Sequence, residues 1–259
     1  MPLNEPIRNW NDQRVWVVGA STGIGRALAE ALVGRGARVA LTARSAGALE
    51  EIAAKAPAGR TLVLPADVTR AEDLERAHAG ILSQWAGLDL VVFLAGNHRP
   101  MRAWELDTGA VRDLFEINVF GVLNGLRAVL PGMLKQQRGA LAIVSSVAGY
   151  RGLPTGLAYG ATKAALINLA ETLYLDLAPK GIGVFLINPG FVKTPLTDKN
   201  AFTMPALITP EQAAREMLRG FERGEFEMHF PKRFTRVMKL LRQLSYRLYF
   251  PAVRRFTGL

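Results

Sequence analysis

Val15-Trp16-Val17-Val18-Gly19-Ala20-Ser21-Thr22-Gly23-Ile24-Gly25 is the stretch that decides the fold. Four apolar residues in a row, three of them β-branched, read as a short strand buried on both faces. Three glycines follow at a Gly-x-x-x-Gly-x-Gly spacing, and a helical pattern begins near Ile24. Glycine lets the chain turn tightly and lets a ligand approach the backbone closely. A helix starting behind such a turn offers unpaired N–H groups and the positive end of its dipole, a natural seat for phosphate. Gly19, Ser21, Thr22, Gly23, Ile24 and Gly25 therefore read as a pyrophosphate cradle. The spacing differs from the common dinucleotide fingerprint; its position directly after the first strand is what supports the reading.

Outward from this turn, short β-branched runs alternate with longer helical patterns. Strands are predicted at residues 14–18, 38–42, 61–65, 88–94, 140–145 and 183–188, with a short one at 226–230. Helices are predicted at 24–34, 46–55, 71–86, 108–136, 157–178 and 211–221. The helix at 157–178 carries Leu166, Leu169, Ala170, Leu173 and Leu177 at helical spacing. This alternation specifies an α/β fold, a doubly wound, mostly parallel sheet with right-handed crossovers. At 259 residues, 49% of them apolar, the chain suits one large domain. We expect a catalytic domain over 1–230 and an extension over 231–259.

Composition removes several classes of chemistry. There are no cysteines, so disulfides, thiolate metal sites and a cysteine nucleophile are out. The three histidines, His78, His98 and His229, are far apart and show no metal-ligand spacing, so no metal is expected. Residues 1–12 carry no apolar signal-peptide core, and no run of eighteen uncharged apolar residues exists. The expected location is cytoplasmic. The net charge is +10, yet residues 232–259 hold eight cations and no acid, leaving +2 for everything before them. The basic character belongs to the tail, which argues against nucleic acid as the partner of the domain.

The second predicted strand ends Leu41-Thr42-Ala43-Arg44. In dinucleotide folds an acid here bonds the adenosine ribose, whereas an arginine accepts a 2′-phosphate. No acid is present, so Arg44 predicts NADPH (NADP+) over NADH. Asp67 and Val68, after the third strand, either border the adenine or make an ordinary turn. Further on, Tyr159 and Lys163 stand four residues apart in a predicted helix, with Ser146 thirteen positions upstream. Residues i and i+4 share a helix face. An ammonium beside a phenol favours its ionised form, so Tyr159 is expected to be unusually acidic and able to exchange a proton near neutral pH.

Taken together, five motifs resemble the short-chain dehydrogenase/reductase family over roughly residues 13–230. They are the glycine turn, Asn118 in Ile117-Asn118-Val119-Phe120-Gly121, Ser145-Ser146, Tyr159 to Lys163, and Asn188-Pro189-Gly190. The resemblance implies a Rossmann-like fold and a Tyr-Lys-Ser-Asn tetrad. Tyr159 would protonate a carbonyl oxygen, and Lys163 would lower the Tyr159 pKa and hold the nicotinamide ribose. Ser146 would orient the substrate oxygen, and Asn118 would hold a water that links Lys163 to solvent. Pro189, Gly190, the Val192 backbone and the Thr194 hydroxyl would fold over the nicotinamide. Two departures stand out. The family's Asn-Asn-Ala-Gly reads Phe93-Leu94-Ala95-Gly96, which puts a polar tie at the sheet centre in doubt but leaves Ala95 and Gly96 beside the adenosine ribose. Val18 also replaces a frequent threonine.

The expected activity is NADP(H)-dependent reduction of an apolar ketone, or the reverse oxidation of a secondary alcohol. Rival readings on the same fold are a non-catalytic dinucleotide sensor or scaffold, and an epimerase or dehydratase. Substrate contacts are expected from His98, Met101, Trp104, Tyr150, Leu153, Leu157, Phe191, Phe202 and Met204. Arg99, Arg102 and Arg151 either meet a carboxylate or phosphate or, the preferred reading, form solvated rims, and His98 reads as an ordinary loop residue. In the tail, Phe234, Val237, Met238, Leu241, Leu244 and Leu248 fall on one helical face, with Arg236, Lys239, Gln243 and Arg247 on the other. Such a basic amphipathic helix suits the anionic inner face of a membrane, with Tyr246, Tyr249 and Phe250 at the interface. The alternatives are packing on its own domain or on a second subunit, the resembled family being commonly dimeric or tetrameric, and, last, contact with nucleic acid.

Overall fold

A computed structural model of the chain describes residues 1–199 and 202–258; Asn200 and Ala201, inside the expected 191–207 substrate segment, and Leu259 lie outside the described residues. Seven strands form one wholly parallel sheet: β1 (Arg14–Val18), β2 (Arg38–Thr42), β3 (Thr61–Val63), β4 (Leu90–Phe93), β5 (Gly139–Val144), β6 (Ile182–Pro189) and β7 (Glu227–Phe230). Their order is β3-β2-β1-β4-β5-β6-β7. The winding direction reverses between β1 and β4, and ligands of such sheets bind beyond the carboxyl ends of the strands at that reversal.

Alternation along each strand separates two cores. Val15 and Val17 of β1 point to one face, where they meet Leu28 and Leu32 of α1 (Gly23–Val33) and Met217 and Phe221 of α7 (Pro210–Arg223). Trp16 and Val18 point to the other, toward Leu74 and Ile81 of α3 (Ala71–Trp85) and Leu166 of the long helix of residues 157–177. The short helix Ala46–Ala53 (α2) packs Leu49 and Ile52 on the first side. Period-two burial on a sheet covered on both faces is what apolar runs such as Leu90-Val91-Val92-Phe93 demand. Trp16 Nε1, buried in the second core, donates to Thr42 Oγ1 at 2.8 Å, which donates onward to Leu64 O at 2.9 Å.

The predicted helix at 108–136 is not uniform. It consists of α4 (Thr108–Phe115), a π turn (Glu116–Phe120) and α5 (Gly121–Gln136). By length and composition this assembly could cross a membrane; here Val122, Leu126, Val129 and Met133 pack it into the second core. The family's missing asparagine is accommodated sterically. Phe93 fills the space beside α5, and a Cβ on Gly125 would stand 2.2 Å from the Phe93 ring.

The tail corrects the reading of one amphipathic face. It forms two helices, α8 (Lys232–Gln243) and α9 (Tyr246–Thr257), with α6 (Leu157–Leu177) preceding both in the chain. The chain is extended at Leu244 and Ser245, so the helical pattern breaks there. Thr235, Met238, Tyr249 and Val253 are buried, and Phe234 and Leu241 pack against the second core. Val237 and Leu248, expected on the same apolar face, are exposed. Residues that share a face on a continuous helix part company once the helix bends.

Candidate active site

The glycine turn is built as its sequence requires. Gly19 has φ +102° and Gly23 φ +53°, values that side-chain-bearing residues rarely adopt. A Cβ on Gly19 would lie 2.5 Å from Ala95 N, and one on Gly25 would lie 2.0 Å from Gly19 O. Leu94 N and Ala95 N both donate to Val18 O, at 2.8 and 2.9 Å, so the ends of β1 and β4 meet at the sheet reversal. The first turn of α1 has no side-chain cap and no acid. Its N–H groups face a cavity of about 650 Å³. Unpaired helix N–H groups over a side-chain-free turn fit a pyrophosphate.

Every cofactor-contact residue expected from the sequence lines this cavity: Gly19, Ser21, Thr22, Gly23, Ile24, Gly25, Arg44, Asp67, Val68, Ala95, Gly96, Tyr159, Lys163, Pro189, Gly190, Val192 and Thr194. Ser146 lines it too. Arg44 is exposed at its edge and makes no ion pair among the described residues. Asp67 caps its own turn, accepting from Thr69 N at 3.0 Å and Thr69 Oγ1 at 2.8 Å. Thr194 lies over the glycines: a Cβ on Gly23 would come within 2.8 Å of its methyl group. Thr197, missed in the sequence, organises that cover by accepting from Thr194 N at 3.0 Å and donating to Val192 O at 2.7 Å. Its Thr-x-x-Thr spacing was the available signal. Asn97 and Ser45 are further lining residues that no motif marked.

Ser146, Tyr159 and Lys163 converge at this cavity, but the electrostatics differ from expectation. Lys163 Nζ donates to Val144 O at 3.0 Å and stands 5.6 Å from the Tyr159 ring centre. Lys163 is only 5% exposed. Burial pushes the Tyr159 phenol up to about 12, against a smaller opposing effect of its hydrogen bond with Ser146. Burial also pulls the Lys163 ammonium down to about 8. The expected acidic phenol is thus absent from the resting protein: desolvation outweighs the attraction of a cation that is turned toward a backbone carbonyl. Ser146 Oγ accepts from Ala148 N at 3.1 Å and lies 3.4 Å from Pro189 O.

Asn118 stands behind the cavity wall, in the π turn. Its Nδ2 donates to Asn97 O and Thr162 Oγ1, both at 3.0 Å, and its Oδ1 accepts from Asn97 N at 2.7 Å. Both amide hydrogens are used within the protein, so this side chain ties the loop after β4 to α6 instead of offering an N–H to water.

The expected apolar substrate wall is only partly assembled. Met101 and Tyr150 are buried in the protein, while Trp104, Leu157 and Phe202 are exposed. Phe191 contacts Phe202 and Phe234, with ring centres 5.6 and 5.2 Å apart. His98 is more than a loop residue: its ring stands edge-on to Tyr159, centres 4.5 Å apart. Arg99 pairs with Asp107 at 3.2 Å, and Arg102 lies over Trp104. Arg151 is no solvated rim, since it bonds three carbonyls of the tail.

The sequence profile of the short chain dehydrogenases matches residues 13–204. An uncharacterized oxidoreductase of Myxococcus xanthus (strain DK1622) is 40% identical over 242 residues, covering 92% of this chain and 95% of that one. A short-chain dehydrogenase of Streptomyces avermitilis, 30% identical, superposes with a TM-score of 0.77 over 88% of this chain and 92% of its own. A short chain dehydrogenase/reductase of Burkholderia phymatum, solved with NAD, shares the fold at a TM-score of 0.81 and 24% identity, over 90% of this chain and 94% of its own. Similarity of this extent, nearly end to end, makes the chain a member of the short-chain dehydrogenase/reductase family of NAD(P)-dependent oxidoreductases.

Proposed function

We propose that this chain is an NADP(H)-dependent carbonyl reductase, reversible as an alcohol dehydrogenase, acting on an apolar ketone or secondary alcohol. The observation that carries the reading is the convergence of Ser146, Tyr159 and Lys163 on the cavity that begins at the glycine turn. When bound, the nicotinamide supplies or accepts the hydride. Residues 19–25 would hold the pyrophosphate, and Lys163 with Tyr159 would hold the nicotinamide ribose. The Tyr159 hydroxyl gives its proton to the carbonyl oxygen, and Ser146 hydrogen-bonds that oxygen and orients it. A phenol kept neutral by burial is already in the form that reduction consumes. The burial of Lys163 makes its charge, and with it its grip on the ribose, sensitive to pH above about 8.

Arg44 supports NADPH as the preferred form, being a cation at the cavity edge without an ion pair among the described residues and with no acid at the end of β2. Residues 1–230 form the catalytic unit and 231–259 an extension. Phe120, Leu123 and Leu134, exposed on the 116–136 segment, support a homo-oligomeric contact. The outer side of α8 and α9 carries Val237, Leu240, Leu248, Phe250 and Phe256 exposed among arginines, which supports peripheral contact with an anionic bilayer. Liposome co-sedimentation of the full chain with anionic against neutral vesicles tests that contact; equal partition excludes it.

The decisive assay is NADPH oxidation across ketones, aldehydes, quinones, steroids and 3-oxoacyl thioesters. Tyr159→Phe is expected to lower turnover by about 10²–10⁴-fold. Full turnover in that variant would overturn the proposed mechanism.

A further inference from the structure

We propose that Arg151 is a positioning residue through which the C-terminal helices hold the segment between Ser146 and Tyr159 in its working shape. Residues 150, 151 and 152 are each tied by a separate contact to β7 or the tail. The Tyr150 hydroxyl donates to Glu227 Oε1 at 2.5 Å. Arg151 Nη1 donates to Leu244 O at 2.6 Å and, at 3.4 Å each, to Leu241 O and Arg242 O. Gly152 O accepts from the Tyr249 hydroxyl at 2.8 Å.

Arg151 makes the most specific of these contacts. The carbonyls it bonds belong to the end of α8, where helical partners run out and a cation is favoured. Its guanidinium lies between two rings, 4.0 Å from the Tyr249 ring centre and 4.7 Å from that of Tyr246. One planar cation thus caps α8 and anchors the first turn of α9. Among the described residues no carboxylate pairs with it, so its charge is held by carbonyls and ring faces alone.

The neighbouring tie is equally dense. Glu227 accepts from Tyr150 and from Asn188 Nδ2 at 2.8 Å, and pairs with Lys239 Nζ at 2.5 Å. Burial pushes its carboxyl up, but the bonds from Lys239, Tyr150 and Asn188 together bring it below its ordinary value. Asn188 immediately precedes Pro189 and Gly190 of the cavity wall, and Gly190 has room for the Phe234 ring only because it lacks a side chain: a Cβ there would stand 2.8 Å from it. The tail therefore touches both segments that flank the reacting end of the cavity.

The ends of the held segment are fixed independently of the tail. A Cβ on Gly149 would meet the Lys163 backbone at 2.6 Å, and Thr155 O accepts from Met101 N at 2.9 Å. Between those anchors, the contacts of 150–152 with β7 and the tail set the loop's path. Releasing Arg151 leaves α6 and the glycine turn in place but frees the segment that joins Ser146 to Tyr159.

The catalytic part of this inference rests on the reading of Tyr159 as proton donor; the mechanical part does not. The test compares full-length wild type, Arg151→Ala, Arg151→Lys and Tyr249→Phe. Amide hydrogen exchange is followed over residues 150–156 and 246–257, together with NADPH Kd and with kcat and KM for the best ketone. Arg151→Ala is expected to speed exchange in both segments and to raise ketone KM by about tenfold or more, with NADPH Kd unchanged within about twofold. Arg151→Lys should recover only part of the protection, because an ammonium bonds carbonyls but does not stack as a planar fork. Unchanged exchange over 150–156 in Arg151→Ala overturns the proposal, and so does faster exchange with KM and kcat untouched. Should that variant not fold, Arg151→Lys and Tyr249→Phe carry the same comparison. A wild type that reduces no ketone would refute the proposed activity, while the exchange data would still decide the clasp.

Discussion

The glycine turn at residues 19–25 and the clasped segment at 150–152 both shape the site, by opposite means. At the turn, the strand, the glycines and the helix behind them are contiguous, and the backbone itself makes the site. At the clasp, side chains reach partners 77, 93 and 97 residues away. A turn needs particular residue types at particular spacings, so it leaves a signature. A clasp needs only that a cation, two rings and some carbonyls come together in space, and nothing in Tyr150-Arg151-Gly152 announces that.

The contrast breaks most forcefully at Gly25. A Cβ there would overlap Gly19 O, so Gly25→Ala must distort the turn. We expect a loss of dinucleotide affinity of about 2–4 kcal/mol, read by titration calorimetry, with the exchange pattern of α9 unchanged. A matching loosening of α9 would show that turn and clasp are one cooperative unit.

Next in size is Lys163→Met. Below pH 8 both folded and unfolded chains carry this proton, and folding bears the full cost of burying the charge. Between about 8 and 10.5 the folded protein has lost the proton and the unfolded chain keeps it, so stability rises with pH through that window. At pH 7 the variant should be more stable by about 3 kcal/mol, because every tenfold loss of proton affinity on folding corresponds to about 1.4 kcal/mol. Denaturant titrations at pH 7 and pH 10.5 check this, the difference shrinking at the higher pH. The same variant should be catalytically dead. In the wild type, kcat/KM should fall as pH rises above about 8.

Arg44→Ala probes an assignment made from sequence that rests on a single side chain. It should weaken NADPH by roughly one to two orders of magnitude and leave NADH nearly unaffected. Equal losses for both cofactors would sink the assignment of Arg44 to the 2′-phosphate. Smallest is Tyr150→Phe, which removes one of the three donors around Glu227. A destabilisation of about 1–2 kcal/mol is expected, with slightly faster exchange over 150–156 and no effect at the glycine turn.

Much of the fold was legible. The predicted strands were all found, β1 and β2 at their expected bounds and the other five displaced by one or two residues at an end, where pairing with neighbours sets the limit. The 108–136 prediction missed its π turn because composition does not report that Asn118 is drawn to the Asn97 carbonyl and the Thr162 hydroxyl. The residues expected to contact a dinucleotide all line one cavity. The proton affinity of Tyr159 was not, because proximity of Lys163 in sequence says nothing about where its ammonium points or how dry its surroundings are.

The sequence by itself determined the doubly wound sheet, the glycine turn and the convergence of Ser146, Tyr159 and Lys163 on one cavity, since these depend on periodicity, on φ values open to glycine and on positions at strand and helix ends. Only the tertiary structure decided that the tail folds back as two helices, that Arg151 caps the first of them, and that burial governs the protons of Tyr159 and Lys163. Those outcomes depend on distances between remote parts of the chain and on the exclusion of water, and neither quantity is written in local residue order.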